Sequence, residues 1–299
     1  MKALVFGSLN IDKVYSLASL PEKGETLRCR GYEIHVGGKG LNQAIALKKA
    51  GFDITMAGAI GEDGAFLKDH LAENGINTSL LLTTDGFSGH AVIEVDKEGQ
   101  NQMILFAGAN YAVTPDYCDS VLENFGRGDL ILMQYETSCV EYMTEKAHKK
   151  GLTVALNPSP YVKELQGFPY ENVDILILNE SEGMSITGEN DIKKAVSVLL
   201  DKLKGGKVVL TLGADGAVYA DGETEIKVPA FKVNAVDTTG AGDTFTGYFL
   251  SAYLNGGDAK SALTRSAAAS AIAVTKKGAA ETIPSPAQVT EFLMNNTES

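Results

Sequence analysis

The feature that most constrains the fold of this chain is a series of short apolar segments rich in Val, Ile and Leu. They lie at residues 3–6, 54–60, 130–133, 153–156, 175–178 and 208–212. Stretches with helical periodicity lie between them, at residues 41–50, 65–74, 140–150 and 192–203. Apolar runs of this length are typical of strands buried on both faces of a parallel sheet. The alternation predicts an α/β fold with a mostly parallel central sheet and helices on both faces.

Two segments, residues 13–36 and 89–106, do not follow this alternation. In the second of them, strand-like stretches flank the turn-like sequence Asp-Lys-Glu-Gly at residues 96–99. We predict that the two segments form a small β-sheet inserted in a single domain that spans residues 1–299. Ligands of open α/β folds bind at the carboxyl ends of the strands, so this sheet could act as a lid. A hairpin without a function is the alternative.

The composition excludes several classes of protein. With 299 residues, 44% of them hydrophobic, the chain can bury one large core without disulfides. A net charge of −12 argues against a nucleic-acid partner, because such partners are bound by clustered Lys and Arg. Three cysteines without paired spacing are expected to be reduced thiols. No apolar run approaches the roughly 18 residues of a membrane-spanning helix, so we expect a cytoplasmic protein without a membrane partner.

A glycine-rich turn with the sequence Asp-Thr-Thr-Gly-Ala-Gly-Asp, residues 237–243, precedes an apolar stretch at residues 244–254. Such a turn at the start of a helix presents free N–H groups and the positive end of the helix dipole to an anion. The amides predicted to form this anion hole are those of Gly240, Ala241 and Gly242. Asp243 would then be the proton acceptor for an attacking hydroxyl, or it would only complement the helix dipole.

The chain lacks the two most common nucleotide-binding patterns. A phosphate-binding loop requires Gly-Lys-Ser/Thr, whereas Lys39 is followed by Gly40. A dinucleotide-binding turn at residues 240–242 would require a third glycine at the position of Phe245. Any nucleotide must therefore be bound in another way.

A second glycine-rich turn, Gly-Gly-Lys-Gly-Leu-Asn at residues 37–42, also leads into a helical pattern. Glycine alone at a tight turn indicates little, but the polar residues of this turn add information. Lys39 could neutralise a phosphate, and Asn42 could bind a hydroxyl from the first turn of the helix.

Polar residues also follow two of the predicted strands at their carboxyl ends. Asn10 and Asp12 follow the first strand, two residues apart and so on one face of an extended chain, and Glu136 follows the third. Each of them alone could be an ordinary loop or capping residue. Together with Asn42 they would offer carboxylates and amides to several hydroxyl groups, without an arginine fork for an anionic substrate. This combination favours a small neutral polyol as the ligand.

Four motifs, in order along nearly the whole chain, resemble the carbohydrate kinases of the ribokinase family. They are residues 37–42, residues 179–182 (Asn-Glu-Ser-Glu), residues 211–216 (Thr-Leu-Gly-Ala-Asp-Gly) and residues 237–243. Segments at residues 7–12, 108–110, 156–158 and 271–275 are similar to the ribokinase branch of that family. The resemblance implies an ATP-dependent kinase that phosphorylates the terminal hydroxymethyl group of a sugar, with the 5-hydroxyl of D-ribose the leading candidate. It also implies a homodimer formed through the lid.

The resemblance assigns roles to individual residues of this sequence. The sugar ligands would be Asn10, Asp12, Gly38, Lys39, Asn42 and Glu136, with Asp243 as the catalytic base. The ATP contacts would come from Asn179, Thr211, Gly213, Gly216 and Gly242. Glu182 would hold Mg²⁺ through water. A potassium ion or a similar monovalent cation would be bound by Asp237, Thr239, Ala273, Lys276, Gly278 and Thr282.

Other interpretations remain open from the sequence. Asp237 could simply cap its own turn instead of binding a cation. Ala267 stands near the expected adenine, where well-known ribokinases carry a histidine, so the preference for a nucleotide base is open. A sister kinase for fructose, 2-keto-3-deoxygluconate, deoxyribose or a nucleoside is one alternative function. A catalytically silent sugar or nucleotide sensor on the same fold is another.

Overall fold

The structure is a computed structural model, and it describes residues 1–296. Its strands, in chain order, are β1 (Ala3–Phe6), β2 (Asn10–Ser16), β3 (Gly31–Gly37), β4 (Ile54–Ile60), β5 (Asn77–Thr83), β6 (Gly89–Val95), β7 (Asn101–Phe106), β8 (Leu130–Gln134), β9 (Thr153–Asn157), β10 (Ile175–Asn179), β11 (Lys207–Thr211), β12 (Ala217–Ala220) and β13 (Glu225–Val228). Its α-helices are α1 (Lys39–Lys49), α2 (Ala65–Glu73), α3 (Pro115–Leu122), α4 (Val140–Lys150), α5 (Glu180–Thr187), α6 (Ile192–Leu203), α7 (Ala241–Leu254), α8 (Ala259–Ala273) and α9 (Pro286–Asn296).

The central sheet has the strand order β13-β12-β11-β10-β9-β8-β1-β4-β5 over the described part of the chain. β1 pairs in parallel with both β4 and β8. Parallel pairing continues from β4 to β5, and from β8 through β9 and β10 to β11. Only β12 and β13, at one edge, run antiparallel. The mostly parallel sheet predicted from the sequence is confirmed.

The side chains of β1 alternate between two cores, one on each face of the central sheet. Ala3 and Val5 pack into a core that also contains residues of α1, α2, α7, α8 and α9. Leu4 and Phe6 pack into a second core with residues of α3, α4 and α6. Because helices cover both faces, polar side chains are unfavourable on either side of the strand, which explains the continuous apolar segments.

A separate four-stranded sheet, which we call the small sheet, has the order β3-β2-β6-β7. The predicted small sheet is thus confirmed, but its strands differ from the predicted segments. β2 begins at Asn10 because the antiparallel ladder with β3 already starts at the pair Asn10 and Gly37. Asn10 and Asp12 therefore lie on the small sheet, not at the end of β1. Residues 17–30 contain no regular secondary structure.

Several elements were not predicted from the sequence. β5 is a partly exposed edge strand with polar residues at its start, so it lacks a continuous apolar run. α8 is rich in Ala and Ser, and this composition masks the spacing of its buried face. None of the helices in residues 1–296 is both long enough and apolar enough to cross a bilayer.

The packing of α1 against α7 brings the two glycine-rich turns to the same end of the molecule. Gly247 of α7 lies directly against α1, since a Cβ at this position would be 2.4 Å from the Cβ of Ala46. The two backbones therefore approach closely, as small residues at helix crossings permit. The amino-terminal ends of both helices then meet near the carboxyl ends of β8, β9 and β10, where parallel α/β sheets bind their ligands.

Candidate active site

A pocket lies at this end of the central sheet, between the starts of α1, α5 and α7. It is lined by Lys39, Asn157, Ser159, Ile177, Leu178, Asn179, Glu182, Thr211, Gly242, Asp243 and Thr246. Predicted site residues from all four sequence motifs thus line one cavity. Helix starts and the carboxylates of Glu182 and Asp243 border the pocket. Helix starts favour an anion, and carboxylates favour a cation that accompanies it.

Asp243 lies in the first turn of α7 and is 6% exposed. Asn42 Nδ2 donates a hydrogen bond to its Oδ2 at 3.1 Å, and Gln43 Nε2 donates to its Oδ1 at 2.9 Å. Each carboxylate oxygen therefore has one amide donor and retains a lone pair. A buried carboxylate held in this way can accept a proton from a hydroxyl group at a fixed position.

The turn before α7 leaves two of the three predicted anion-hole amides without a hydrogen-bond partner in the described residues. Gly240 caps the helix at φ 72°, a left-handed backbone that favours glycine. The N–H of Ala241 donates to the carbonyl of Thr238 at 3.2 Å, so this amide is engaged inside the turn. The N–H groups of Gly240 and Gly242 make no hydrogen bond within residues 1–296. A Cβ at Gly242 would meet no atom within 4 Å, so the side-chain face of this residue, which lines the pocket, is open.

Lys39 opens α1 and lies among carboxylates. Burial lowers the pKa of its ammonium group, but the charges of Asp243, Glu136 and Glu182 outweigh burial and raise the pKa above its ordinary value. The side chain therefore stays cationic throughout the physiological pH range. A cation at the start of a helix is otherwise unfavourable, so its position points to an anionic ligand.

Glu136 follows β8 and is held by Ser8 and by the glycine-rich turn at residues 37–42. Its Oε2 accepts hydrogen bonds from Ser8 Oγ at 2.5 Å and from the N–H of Lys39 at 3.1 Å. Burial raises the pKa of Glu136, although the bond from Ser8 and the charge of Lys39 oppose this change. The carboxylate is thus poorly solvated and is suited to accept hydrogen bonds from a ligand.

Asn10 and Asp12 lie on β2 of the small sheet. Asn10 is buried, and its Oδ1 accepts a hydrogen bond from Asn110 Nδ2 at 2.7 Å. Burial and the nearby charge of Glu136 raise the pKa of Asp12 to about 7, while His35 acts in the opposite direction. The small sheet therefore contributes a carboxyl group that becomes more stable when a hydroxyl donor reaches it.

The four predicted ATP contacts outside α7 are in different surroundings. Asn179 and Glu182 form a reciprocal capping box at the start of α5, with bonds of 2.8 Å and 3.0 Å, and both line the pocket. Thr211 lines the pocket at the end of β11. Gly213 borders open space, but a Cβ at Gly216 would be 1.9 Å from the carbonyl oxygen of Val228. Gly216 is thus needed for packing against β13, whether or not it meets a nucleotide.

The predicted cation ligands lie in the turn before α7 and in the segment from the end of α8 to Thr282, and Asp237 connects the two. Its Oδ1 accepts from the N–H and Oγ1 of Thr239 at 2.9 Å and 2.7 Å, and its Oδ2 accepts from the N–H of Gly278 at 3.0 Å. The carbonyl of Ala273 accepts from the N–H of Lys276 at 3.2 Å. Thr282 Oγ1 donates to the carbonyl of Ala279 at 2.8 Å. Asp237 therefore caps its own turn, and it also bonds to the second turn at Gly278.

Sequence reasoning missed two residues that touch the predicted base or its partner. Gln43 donates to Asp243, and Gln134 Nε2 donates to Gln43 Oε1 at 2.6 Å. Both glutamines are fully buried. The available signal was a polar residue on the otherwise apolar, buried face of α1 and at the end of the apolar strand β8, because buried amides need partners.

The chain is similar to known carbohydrate kinases over nearly its whole length. The model of the pfkB family of carbohydrate kinases matches residues 1–286. The chain is 38% identical over 300 residues to a ribokinase of Haemophilus influenzae, covering 97% of each chain. It is 34% identical over 308 residues to a deoxyribokinase of Salmonella typhi, covering 99% of this chain and 100% of the relative.

The fold is similar to that of a solved relative. The structure of an Arabidopsis thaliana ribokinase complexed with ribose and ATP superposes with a TM-score of 0.85 at 29% identity, covering 98% of each chain. These similarities extend over nearly the whole length of the chain. They confirm the family resemblance that the four motifs indicated. The chain belongs to the pfkB family of carbohydrate kinases and is an ATP-dependent sugar kinase of the ribokinase type.

Proposed function

We propose that this kinase transfers the γ-phosphoryl group of ATP to the 5-hydroxyl of D-ribose, giving ribose 5-phosphate and ADP. The observation that carries the proposal is a set of hydrogen-bond acceptors on β2 of the small sheet, at the start of α1 and after β8. Asp12 and Glu136 are carboxyl groups with raised pKa values. Asn42 Oδ1 is a buried acceptor without a hydrogen-bond partner among residues 1–296. Acceptors that are poorly solvated or unpaired favour a ligand that brings several hydroxyl donors.

Ribose suits these acceptors better than 2-deoxyribose does. A missing hydroxyl leaves a buried acceptor unpaired, and a site built to bind that hydroxyl then discriminates strongly against the deoxy sugar. The similarity to a deoxyribokinase makes 2-deoxyribose the second candidate. The two sugars differ in one donor, so their relative kcat/KM measures how strongly this site uses it.

The proposed chemistry is an in-line transfer. Asp243 takes the proton of the attacking hydroxyl while the oxygen–phosphorus bond forms and the bond to the β-phosphate oxygen of ADP breaks. The amides of Gly240 and Gly242 stabilise the charge on the transferred group, and Lys39 provides a fixed positive charge beside it. Closure of the small sheet over the sugar would exclude water and limit ATP hydrolysis.

Two cations belong to this proposal. Mg²⁺ accompanies ATP in kinases and neutralises phosphate charge, and the buried carboxylate of Glu182, which lines the pocket, is a suitable oxygen ligand for its water shell. For a monovalent cation, Asp237 supplies a carboxylate, and carbonyl oxygens lie in the two turns that it joins. A set of oxygen ligands with one negative charge fits a hard monovalent cation. The predicted ligands are thus compatible with both ions.

We also propose that the small sheet forms the interface of a homodimer. Its outer strands β3 and β7 have no strand neighbour on one side within the described residues. β7 exposes a continuous apolar run, in which Ile104 is 67% exposed and Leu105 is 54% exposed. Open strand edges and exposed apolar patches of this kind are usually covered by another chain.

The experiment that tests the function is a coupled ADP-release assay over ribose, 2-deoxyribose, fructose, 2-keto-3-deoxygluconate and a nucleoside. We expect the highest kcat/KM for ribose, with phosphorus NMR assigning the product as the 5-phosphate. A kcat/KM for 2-deoxyribose equal to or above that for ribose would replace ribose by the deoxy sugar. Release of ADP without any phosphorylated sugar would refute both candidates.

A further inference from the structure

A chain of buried polar side chains leads from Asp243 into the core. Gln43 Nε2 donates both to Asp243 Oδ1 and to Asn157 Oδ1, each at 2.9 Å. Gln43 Oε1 accepts from Gln134 Nε2 at 2.6 Å. Asn157 Nδ2 in turn donates to the carbonyl of Ile177 at 2.8 Å. The two glutamines are 0% exposed, so water does not compete for these bonds.

This network allows only one orientation of the Gln43 amide. If the amide were turned by half a rotation, its oxygen would face the oxygens of Asp243 and Asn157. Its nitrogen would then face the donor nitrogen of Gln134. All three contacts would become unfavourable, because each would pair two acceptors or two donors. The bond from Gln134 therefore acts together with the acceptors Asp243 and Asn157 to keep the nitrogen of the Gln43 amide on Asp243.

The orientation of Gln134 leaves one of its own polar atoms without a hydrogen bond. Its Oε1 is a buried acceptor without a hydrogen-bond partner within the described residues. Space for that oxygen exists only because residue 7 is glycine, since a Cβ there would lie 1.9 Å from Gln134 Oε1. A methionine would fill a similar volume without burying an unpaired oxygen. The polar head group is therefore used for its N–H, which is directed at Gln43.

We propose that Gln134 is a positioning residue for phosphoryl transfer, which acts through Gln43 by keeping an N–H donor on Asp243 Oδ1. The inference rests on the proposed function, in which Asp243 is the base. Together with Asn42 on Oδ2, this arrangement gives each carboxylate oxygen one donor. The plane of the carboxylate and the direction of its remaining lone pairs are thereby fixed toward the attacking hydroxyl.

The charges around Asp243 make neutral donors useful. Lys39 on α1 is the nearby cation, whereas Glu136 after β8 and Glu182 on α5 are carboxylates of the same region. Arg265 lies on α8, which packs against α7. Its guanidinium donates to the carbonyl of Pro286 and to Thr290 Oγ1, and it makes no hydrogen bond to Asp243 in the described residues. Amide donors stabilise the carboxylate without adding a cation that would compete for the phosphoryl group.

The first test compares two substitutions at the same position. In Gln134→Glu the new carboxylate accepts the Gln43 N–H, so that Gln43 turns and presents its oxygen to Asp243. We expect kcat to fall by about 10–100-fold, with KM values for ribose and ATP within about twofold of wild type. We also expect the acid limb of the kcat–pH profile to move to higher pH.

Gln134→Met removes the donor without adding a charge, so it keeps the test valid where the buried carboxylate of Gln134→Glu prevents folding. Its kcat should fall by a smaller factor at unchanged KM, because only Asp243 and Asn157 then hold the Gln43 amide in its orientation. Thr144→Val is the control, since Thr144 is equally buried and its hydroxyl bonds to the carbonyl of Val140 on α4. Folded Gln134→Glu and Gln134→Met variants with the kcat of this control would overturn the proposal.

A second measurement needs no substrate and separates this inference from the proposed function. In ¹⁵N-labelled protein, the side-chain amide signal of Gln43 is assigned by its loss in Gln43→Met. We expect Asp243→Asn to shift this signal strongly, and to shift it little when Gln134→Glu is also present. An equal shift in both backgrounds means that Gln134 does not orient Gln43. If the signals behave as expected but wild type phosphorylates no sugar, the proposed function fails while the orienting network stands.

Discussion

Asn42 Nδ2 donates a hydrogen bond to Asp243 Oδ2 at 3.1 Å, although 201 residues separate them in the chain. Asn42 ends the glycine-rich turn at residues 37–42 and Asp243 ends the one at residues 237–243, so this bond closes the site between α1 and α7. The other end of the same amide, Asn42 Oδ1, is buried and without a partner in residues 1–296. A ligand hydroxyl that binds Oδ1 would therefore also fix the donor on the proposed base.

The proposed role of Asp243 predicts the effect of Asp243→Asn. The variant keeps the size of the side chain but cannot accept a proton, so kcat should fall by about 10²–10⁴-fold. Binding of ribose and ATP, measured by calorimetry, should change little. Asp53→Asn is a suitable control, because the side chain of Asp53 is 92% exposed and lies outside the pocket. Turnover of a folded Asp243→Asn variant at the rate of this control would exclude Asp243 as the base.

The raised pKa of Asp12 predicts a pH-dependent stability. Burial and Glu136 raise this pKa from 3.8 to about 7, so the folded state binds the proton more tightly than the unfolded state does. The folded state therefore loses stability as the pH rises through this range, and the loss is complete above pH 7. Each pKa unit corresponds to about 1.4 kcal/mol, which partial solvent exposure of Asp12 reduces to about 1–2 kcal/mol for the whole shift.

The measurement is urea unfolding of Asp12→Asn and wild type without sugar. We expect the variant to be more stable than wild type at pH 8, and the difference to fall below half at pH 5. The same variant should raise the KM for ribose by about 10-fold, since a charged acceptor of the sugar is lost. If the variant is less stable than wild type at pH 8, the charged Asp12 carboxylate does not destabilise the folded state, and this interpretation is wrong.

The sequence predicted the central sheet and the two helix starts because their determinants are local. The continuous apolar runs and the two glycine-rich turns are visible without knowledge of the partners in space. Gln43 and Gln134 were missed for the opposite reason, since they are separated by 91 residues and their bond exists only after β8 and α1 pack. Periodicity shows that a position is buried, but it does not show which polar group meets it there.

The strand assignment of Asn10 and Asp12 illustrates another limit. Both were predicted to follow β1, yet they begin the ladder of the small sheet, where Asn10 pairs with Gly37 and with Gly89. An extended chain after β1 and a new strand have the same local pattern, so only the partner strands distinguish them. The predicted face was nevertheless the same, because residues two apart share a face in either case.

The exposed strand β7 predicts that a charge on the small sheet prevents dimer formation. Ile104→Asp should give a monomer in sedimentation velocity at micromolar concentration, whereas we expect wild type to sediment as a dimer. Burying one unpaired carboxylate on each side of an apolar interface costs several kcal/mol. Met294→Asp on α9 is the matched control, because Met294 and Ile104 are each 67% exposed. A wild-type monomer, or a dimer that persists in Ile104→Asp, would rule out this interface.

The turn held by Asp237 predicts activation by a monovalent cation. Although burial raises the pKa of Asp237, hydrogen bonds from Gly278 and Thr239 outweigh burial and hold the pKa below its ordinary value. The carboxylate is therefore ionised under assay conditions and joins the turn before Gly240 to the turn at Gly278. A cation bound by the oxygens of both turns would order the amides of Gly240 and Gly242, so its effect should appear in kcat.

The test separates cation binding from simple capping by comparing two variants of Asp237. With ribose as substrate, kcat is measured in tetramethylammonium buffer with and without KCl at constant ionic strength. We expect potassium to raise the wild-type kcat by about 10-fold, less than the roughly 10²–10³-fold that losing an anion-hole donor costs. Asp237→Asn retains an oxygen that can accept from Thr239 but lacks the negative charge, whereas Asp237→Ala lacks both. Cation binding requires that both variants lose the response to potassium. If Asp237 acts only as a cap, Asp237→Asn keeps the wild-type kcat, and neither it nor wild type responds to potassium.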